Sequence, residues 1–285
     1  MSALQPFRWS LRRELWENRS LYIAPVVVAV FAFIAFTIST IGMPARRRNT
    51  LTLDPASQRA AVGAPYVVVS VILLVAAFIV GIFYCLDALY GERRDRSILF
   101  WKSLPLSDVT AVLAKASIPM LVLPAITFVI TVLTQFIMLL WSTLVLLPSG
   151  QAGTTWTRFP LPERSLFLLY GLVVIALWHA PLYAWFLFLS AWARRAVFLW
   201  AFLPVFVLAI FEKIALHTTY VGTFLRNRLV GFDKAFAFGP HGRLDSFSQL
   251  TPGTFLTTPG LWLGLIFAAL CLAAAVQLRR SREPI

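Results

Sequence analysis

Two cysteines, three histidines and twelve acidic residues in 285 leave little material for the commoner kinds of active site. Cys85 and Cys271 each stand alone inside an apolar run, where a single cysteine packs as a small hydrophobe; nothing in their placement suggests a disulfide or a metal site. The histidines His179, His217 and His241 form no His-Glu-x-x-His pair, and no Gly-x-Ser-x-Gly elbow occurs. A Gly-x-x-x-x-Gly-Lys-Ser/Thr loop is also missing, so the chain cannot cradle nucleotide phosphates by the P-loop route. Charge is scarce as well. Asp, Glu, Lys and Arg make up 13% of the chain, about half the share expected of a soluble domain.

What the chain has instead is apolar length. It is 59% hydrophobic with a mean hydropathy of +0.79. Ser20–Met43, Ala64–Leu86, Ala116–Leu147, Ser165–Ala193, Ala196–Phe211 and Thr257–Leu278 contain no Asp, Glu, Lys or Arg. All but the fifth reach the roughly 20 residues with which a helix crosses about 30 Å of hydrocarbon. Within lipid every backbone polar group must be satisfied inside its own segment, and the period-two alternation of barrel strands is absent. The expected fold is therefore all-α: a polytopic membrane protein with six transmembrane helices. It is read as a single domain over 1–285. An interfacial helix covers 1–19, membrane helices cover 20–43, 64–90, 108–147, 165–193, 196–217 and 257–278, and an outside loop covers 218–256.

The formal net charge is +13. The basic residues stand just outside the apolar runs, at Arg12-Arg13, Arg46–Arg48, Arg93-Arg94, Arg194-Arg195 and Arg279-Arg280. That placement suits anionic membrane lipids and topology control; no fold that reads nucleic acid is visible, so nucleic acid is not an expected partner. Six spans put both termini on one side. The Lys and Arg count favours the cytoplasm for them, although Arg46–Arg48 then fall outside, against the positive-inside rule. The localisation this predicts is a plasma (inner) membrane, multi-pass.

Before the first span, Phe7, Leu11 and Leu15 recur every four positions, with Arg8, Arg12, Arg13 and Glu17 opposite and Trp9 and Trp16 suited to the head-group layer. This predicts an amphipathic helix lying in the interface. Pro119 and Pro124 predict a kinked or tilted third span. The fifth helix is expected to run on past Glu212-Lys213 to about Thr218. The Gly- and Pro-rich stretch His217–Pro259 predicts turns with one or two short helices. Gly260 and Gly264 have the small-x-x-x-small spacing that lets helix backbones approach.

After the second span a charged half-turn, Glu92-Arg93-Arg94-Asp95-Arg96, leads into the apolar Ile98-Leu99-Phe100-Trp101, and Leu104-Pro105 breaks the helix. Ser107 is placed to cap the next helix, with Asp108 in its first turn where the helix dipole favours negative charge. The pattern Tyr90…Glu92-Arg93-Arg94…Leu104-Pro105…Ser107…Lys115, with the amphipathic leading helix, six spans and the Thr258-Pro259-Gly260-Leu261-Trp262 re-entry, resembles the permease subunit of ATP-binding-cassette transporters of the type-2 exporter class. The resemblance covers the whole chain in layout and is specific between Tyr90 and Lys115. It implies a transverse coupling helix on the cytoplasmic face, seated on a separate P-loop ATPase subunit, and pairing with a second permease copy or a similar chain. Glu92, Arg93, Arg94, Asp95 and Arg96 would then make the charged contacts and Ile98, Leu99 and Trp101 the packing, while Leu104, Pro105 and Ser107 set the angle into the third span.

His179, beside Pro181 in the fourth run, is an ionisable group at membrane depth and so a candidate for the substrate path, although a bond to a neighbouring carbonyl explains it equally. No catalytic residue, metal ligand or cofactor is expected. A membrane-embedded enzyme such as an intramembrane hydrolase, or a non-transporting scaffold or sensor, are the alternative readings; the first lacks a nucleophile or metal motif, and the second would show no ATPase partner.

Overall fold

The computed structural model describes residues 4–97, 107–238, 244 and 246–281. Among these the fold is all-α, with one isolated antiparallel bridge between Phe236 and Leu250. In chain order the helices are α1 (Leu4–Glu17), α2 (Ser20–Ser39), α3 (Met43–Leu51), α4 (Pro55–Ala88), α5 (Tyr90–Arg94), α6 (Asp108–Ser117), α7 (Leu123–Leu146), α8 (Thr154–Arg158), α9 (Leu161–Trp192), α10 (Val197–Phe211), α11 (Tyr220–Val230), α12 (Pro252–Leu256) and α13 (Pro259–Ser281). Six helical stretches are long and apolar enough to cross a membrane: Ser20–Ser39, Pro55–Arg94, Asp108–Ser149, Leu161–Trp192, Val197–Leu216 and Pro259–Ser281. The chain is a multi-span membrane protein by helix length and hydropathy.

Where the bounds differ from those expected, local chemistry explains it. The first span stops at Ser39 because Gly42, at φ 72°, turns the chain in the left-handed region and Pro44 opens α3 in its first turn. Arg46, Arg47 and Arg48 therefore lie on a helix. The second helix begins at Pro55, nine residues before the apolar run, because the Asp54 carboxylate accepts from the amides of Ala56 and Ser57 at 3.1 and 3.0 Å. Pro119 has no N–H to give, and the third span absorbs it as a π turn over Ile118–Val122 between α6 and α7. A second π turn, Glu212–Leu216, extends the fifth span. Beyond it, among the described residues, α11, α12 and two short 3-10 turns occupy the stretch between the fifth and sixth spans.

By contacts the chain forms two compact units. In the unit of residues 19–80 and 123–172, Phe36, Tyr66, Leu73, Met138, Leu139 and Phe159 form an apolar core. Tyr66 is fully buried: its ring stacks on Phe159 at 4.6 Å, and its hydroxyl sits 3.1 Å from Ser142 Oγ. Gln135 satisfies the same layer by donating to Tyr66 O and Ser70 Oγ. Arg47 is buried here and donates to Thr155 Oγ1 at 3.2 Å; burial lowers its pKa.

The other unit comprises residues 1–18, 81–122 and 173–285. Two of its buried clusters bring small side chains together, with Ala191 and Ala275 beside Leu89 and Val112, and Ala184 against Ala268 and Cys271. Small residues at these contacts let helix backbones come close, where packing rather than a solvent-driven term holds membrane helices together. Gly264 serves a different end from the one its spacing suggests. The guanidinium of Arg228 lies over it, and a Cβ there would stand 2.7 Å from Arg228 Cζ and 2.9 Å from Pro181 Cγ. Arg228 also donates to Gly260 O at 3.2 Å and covers the Trp178 ring at 4.9 Å, and burial lowers its pKa.

Candidate functional site

The leading helix α1 buries a polar stripe. Ser10 and Glu14 are its most enclosed side chains, Phe7, Leu11 and Leu15 are half-buried, and Trp9 and Trp16 are exposed with Arg12 stacked between them at 5.8 and 4.6 Å. Glu14 is only 2% exposed. Such a carboxylate is stable only if paired and hydrogen-bonded.

Its partners are the neighbouring Arg13 and, from two other parts of the sequence, Tyr84 and Lys115. Lys115 Nζ, near the end of α6, reaches Glu14 Oε1 at 2.8 Å and Glu92 Oε1 at 3.1 Å. Arg13 Nη2 bridges the same two carboxylates at 2.8 and 2.7 Å, with Glu17 3.4 Å from its Nε. Arg279, in the last turn of α13, sits 3.2 Å from Glu92 Oε2 and 3.6 Å from Asp108 Oδ1. The Tyr84 hydroxyl donates to Glu14 Oε2 at 2.8 Å. Burial opposes the charge on Arg13, but Glu14, Glu92 and Glu17 outweigh it and its pKa is raised. One buried network thus ties α5 to α1, α6 and α13.

A second tie runs from the neighbouring residue. Arg93 is buried and donates through Nη2 to Ser190 O at 2.8 Å and Ala193 O at 2.6 Å, covering carbonyls that the end of α9 leaves without helical partners. In return Ser190 Oγ accepts from the amides of Leu89 and Tyr90 at 3.0 and 2.8 Å, where α4 breaks into α5.

The expected coupling residues divide sharply. Glu92 and Arg93 are spent inside the protein, whereas Arg94, Asp95 and Arg96 are exposed. Arg94 pairs with Asp95 at 3.0 Å and Asp87 at 3.7 Å, and Arg96 ends the helix at φ 57°. Ile98, Leu99, Trp101, Leu104 and Pro105, with most of the expected transverse helix, lie outside the described residues. Ser107 caps α6 as its sequence suggested, accepting from Thr110 N at 3.1 Å, with Asp108 in the first turn. Ser107→Ala is expected to cost about 1 kcal/mol, read as a lower unfolding midpoint in detergent; no shift would mean that the cap is redundant.

No family model, curated protein or solved structure matches the chain.

His179 stands apart from this cluster. Its Nδ1 is 3.1 Å from Ile175 O and its Nε2 is 3.1 Å from Leu229 O, so the ring links α9 to α11. Both contacts are to carbonyls, which explains a histidine here without a substrate. Glu212 is likewise structural: its carboxylate accepts from Thr218 Oγ1 and from the amides of Tyr220 and Val221 at the start of α11. Among the described residues no three His, Cys, Asp or Glu side chains gather as metal ligands would.

Sequence reasoning singled out Glu92 but not the convergence of Glu14, Lys115 and Arg279 on it. A usable signal did exist. Lys115 immediately precedes one apolar run, Arg279 immediately follows another, and Glu14 falls between the apolar positions of α1. Charges at such places need partners at the same depth.

Proposed function

We propose that the chain is the membrane-spanning subunit of an ATP-driven exporter, in which a separate P-loop ATPase works the segment after the second span. The observation that carries this reading is the attachment of Glu92 and Arg93. The base of that segment is joined by buried ion pairs to α1, α6 and α13, and by Arg93 to the end of α9. A load applied between α5 and α6 is therefore delivered to four helices together. A loop that only set topology would need positive charge but no such frame. Arg94, Asp95 and Arg96, exposed at the start of the segment, meet the ATPase in this reading. The termini and the ATPase are on the cytoplasmic side of the plasma (inner) membrane, and a second copy or a similar chain completes the pathway.

Purification of the full chain from its native membrane is expected to bring down a P-loop ATPase. Arg94→Glu with Arg96→Glu should lower its recovery about tenfold or more, since like charges set across an interface cost several kcal/mol. Arg46→Glu with Arg48→Glu should leave recovery unchanged. Absence of any P-loop protein, or equal recovery with both double variants, sinks the proposal.

A further inference from the structure

We infer that the turn between the fourth and fifth spans is a binding site for the head group of an anionic phospholipid. This does not depend on the transport reading; it needs only that α9 and α10 cross a bilayer. The turn borders an open cavity of about 600 Å³ lined by Trp192, Ala193, Arg194, Arg195 and Trp200. Its backbone is fixed at two points. Ala196 takes φ 52°, a left-handed conformation that a residue with a Cβ adopts at a cost, and Arg93 grips Ala193 O from the other side.

The charges around this cavity share one sign. Arg194 and Arg195 are exposed and make no ion pair with any described residue, and Arg93, which bonds the turn from α5, is a cation too. Paired guanidinium groups suit a phosphate, which they can hold by charge-assisted, two-pronged hydrogen bonds. Trp192 and Trp200 meet edge to face at 5.2 Å, and tryptophan favours the layer where head groups meet hydrocarbon. From that rim α10 exposes Phe198, Leu199, Leu203 and Phe206, apolar surface along which acyl chains can lie. A free phosphate would use the arginines and leave the rest of the surface unexplained. A phospholipid uses both parts.

Native mass spectrometry of the full chain, released from detergent with phosphatidylglycerol or phosphatidylcholine added, tests the assignment. The wild type should retain one phosphatidylglycerol in roughly tenfold preference over phosphatidylcholine, as two interfacial cations allow. Arg194→Gln with Arg195→Gln should abolish that preference, while Arg46→Gln with Arg48→Gln should preserve it. Inorganic phosphate at millimolar concentration should not displace the lipid. Equal loss in both double variants would reduce the effect to general charge attraction and overturn the site, and displacement by phosphate alone would overturn the lipid as its occupant. Should the glutamine pair fail to fold, Trp200→Ala keeps the charges and is expected to lower retention at least threefold; unchanged retention would count against the site.

Discussion

Glu92→Ala is expected to destabilise the protein by about 3–5 kcal/mol, the usual cost of removing one member of a buried ion pair. Glu92 is the acceptor shared by Arg13, Lys115 and Arg279. Without it three cations remain close together, with Glu14 the nearest carboxylate to two of them. The loss is therefore mainly the price of stranded charge, not of missing bonds. Arg94→Ala, two residues on in an exposed pair, should change stability by no more than about 0.5 kcal/mol. The two variants can be compared by unfolding in mixed detergent, with helicity as the readout. Adding Lys115→Met to Glu92→Ala should cost less than the sum of the single changes, because the second substitution removes part of the charge the first exposed. If Glu92→Ala unfolds no more readily than Arg94→Ala, the network does not bear on the fold and the mechanical reading loses its frame.

Gly264→Ala is expected to cost about 1–3 kcal/mol, as overpacking of a filled site does. The added methyl meets Arg228, which cannot simply swing away because Gly260 O and the Trp178 ring hold it, and it also meets Pro181. Gly260→Ala provides the contrast. Its Cβ would stand 3.6 Å from Trp178, an ordinary contact, and replacing a glycine whose backbone other residues can adopt gains about 0.4–1 kcal/mol through the unfolded chain. Arg228→Ala should relieve part of the Gly264→Ala penalty, which a cycle of thermal midpoints in detergent would reveal. A Gly264→Ala protein as stable as Gly260→Ala would show that the arginine does not occupy that notch.

Much of the fold was legible because a bilayer imposes a length. The six apolar runs had to be helices, and only their ends were open to correction, at Gly42, Asp54 and the π turns, where single residues decide how the chain leaves the membrane layer. Ser107 was legible because a cap acts within three residues. The buried network was not, since Lys115 and Glu14 lie 101 positions apart and no local rule brings them together. Helical periodicity even pointed elsewhere on α1. Phe7, Leu11 and Leu15 marked an apolar stripe, yet the centre of the buried face is Ser10 and Glu14, because what packs there is charge. The small-x-x-x-small spacing of Gly260 and Gly264 likewise could not reveal what lies over Gly264, a long side chain from α11.

The hydroxyl of Ser190 has a role out of proportion to its size. It receives two consecutive amides at the break between α4 and α5, standing in for carbonyls of the interrupted helix, and it belongs to a different span. The bend is consequently a pinned hinge whose pin is mounted on a neighbour. With the Arg93 bonds to Ser190 O and Ala193 O, four hydrogen bonds join the break between α4 and α5 to the end of α9, so neither can shift without straining the other.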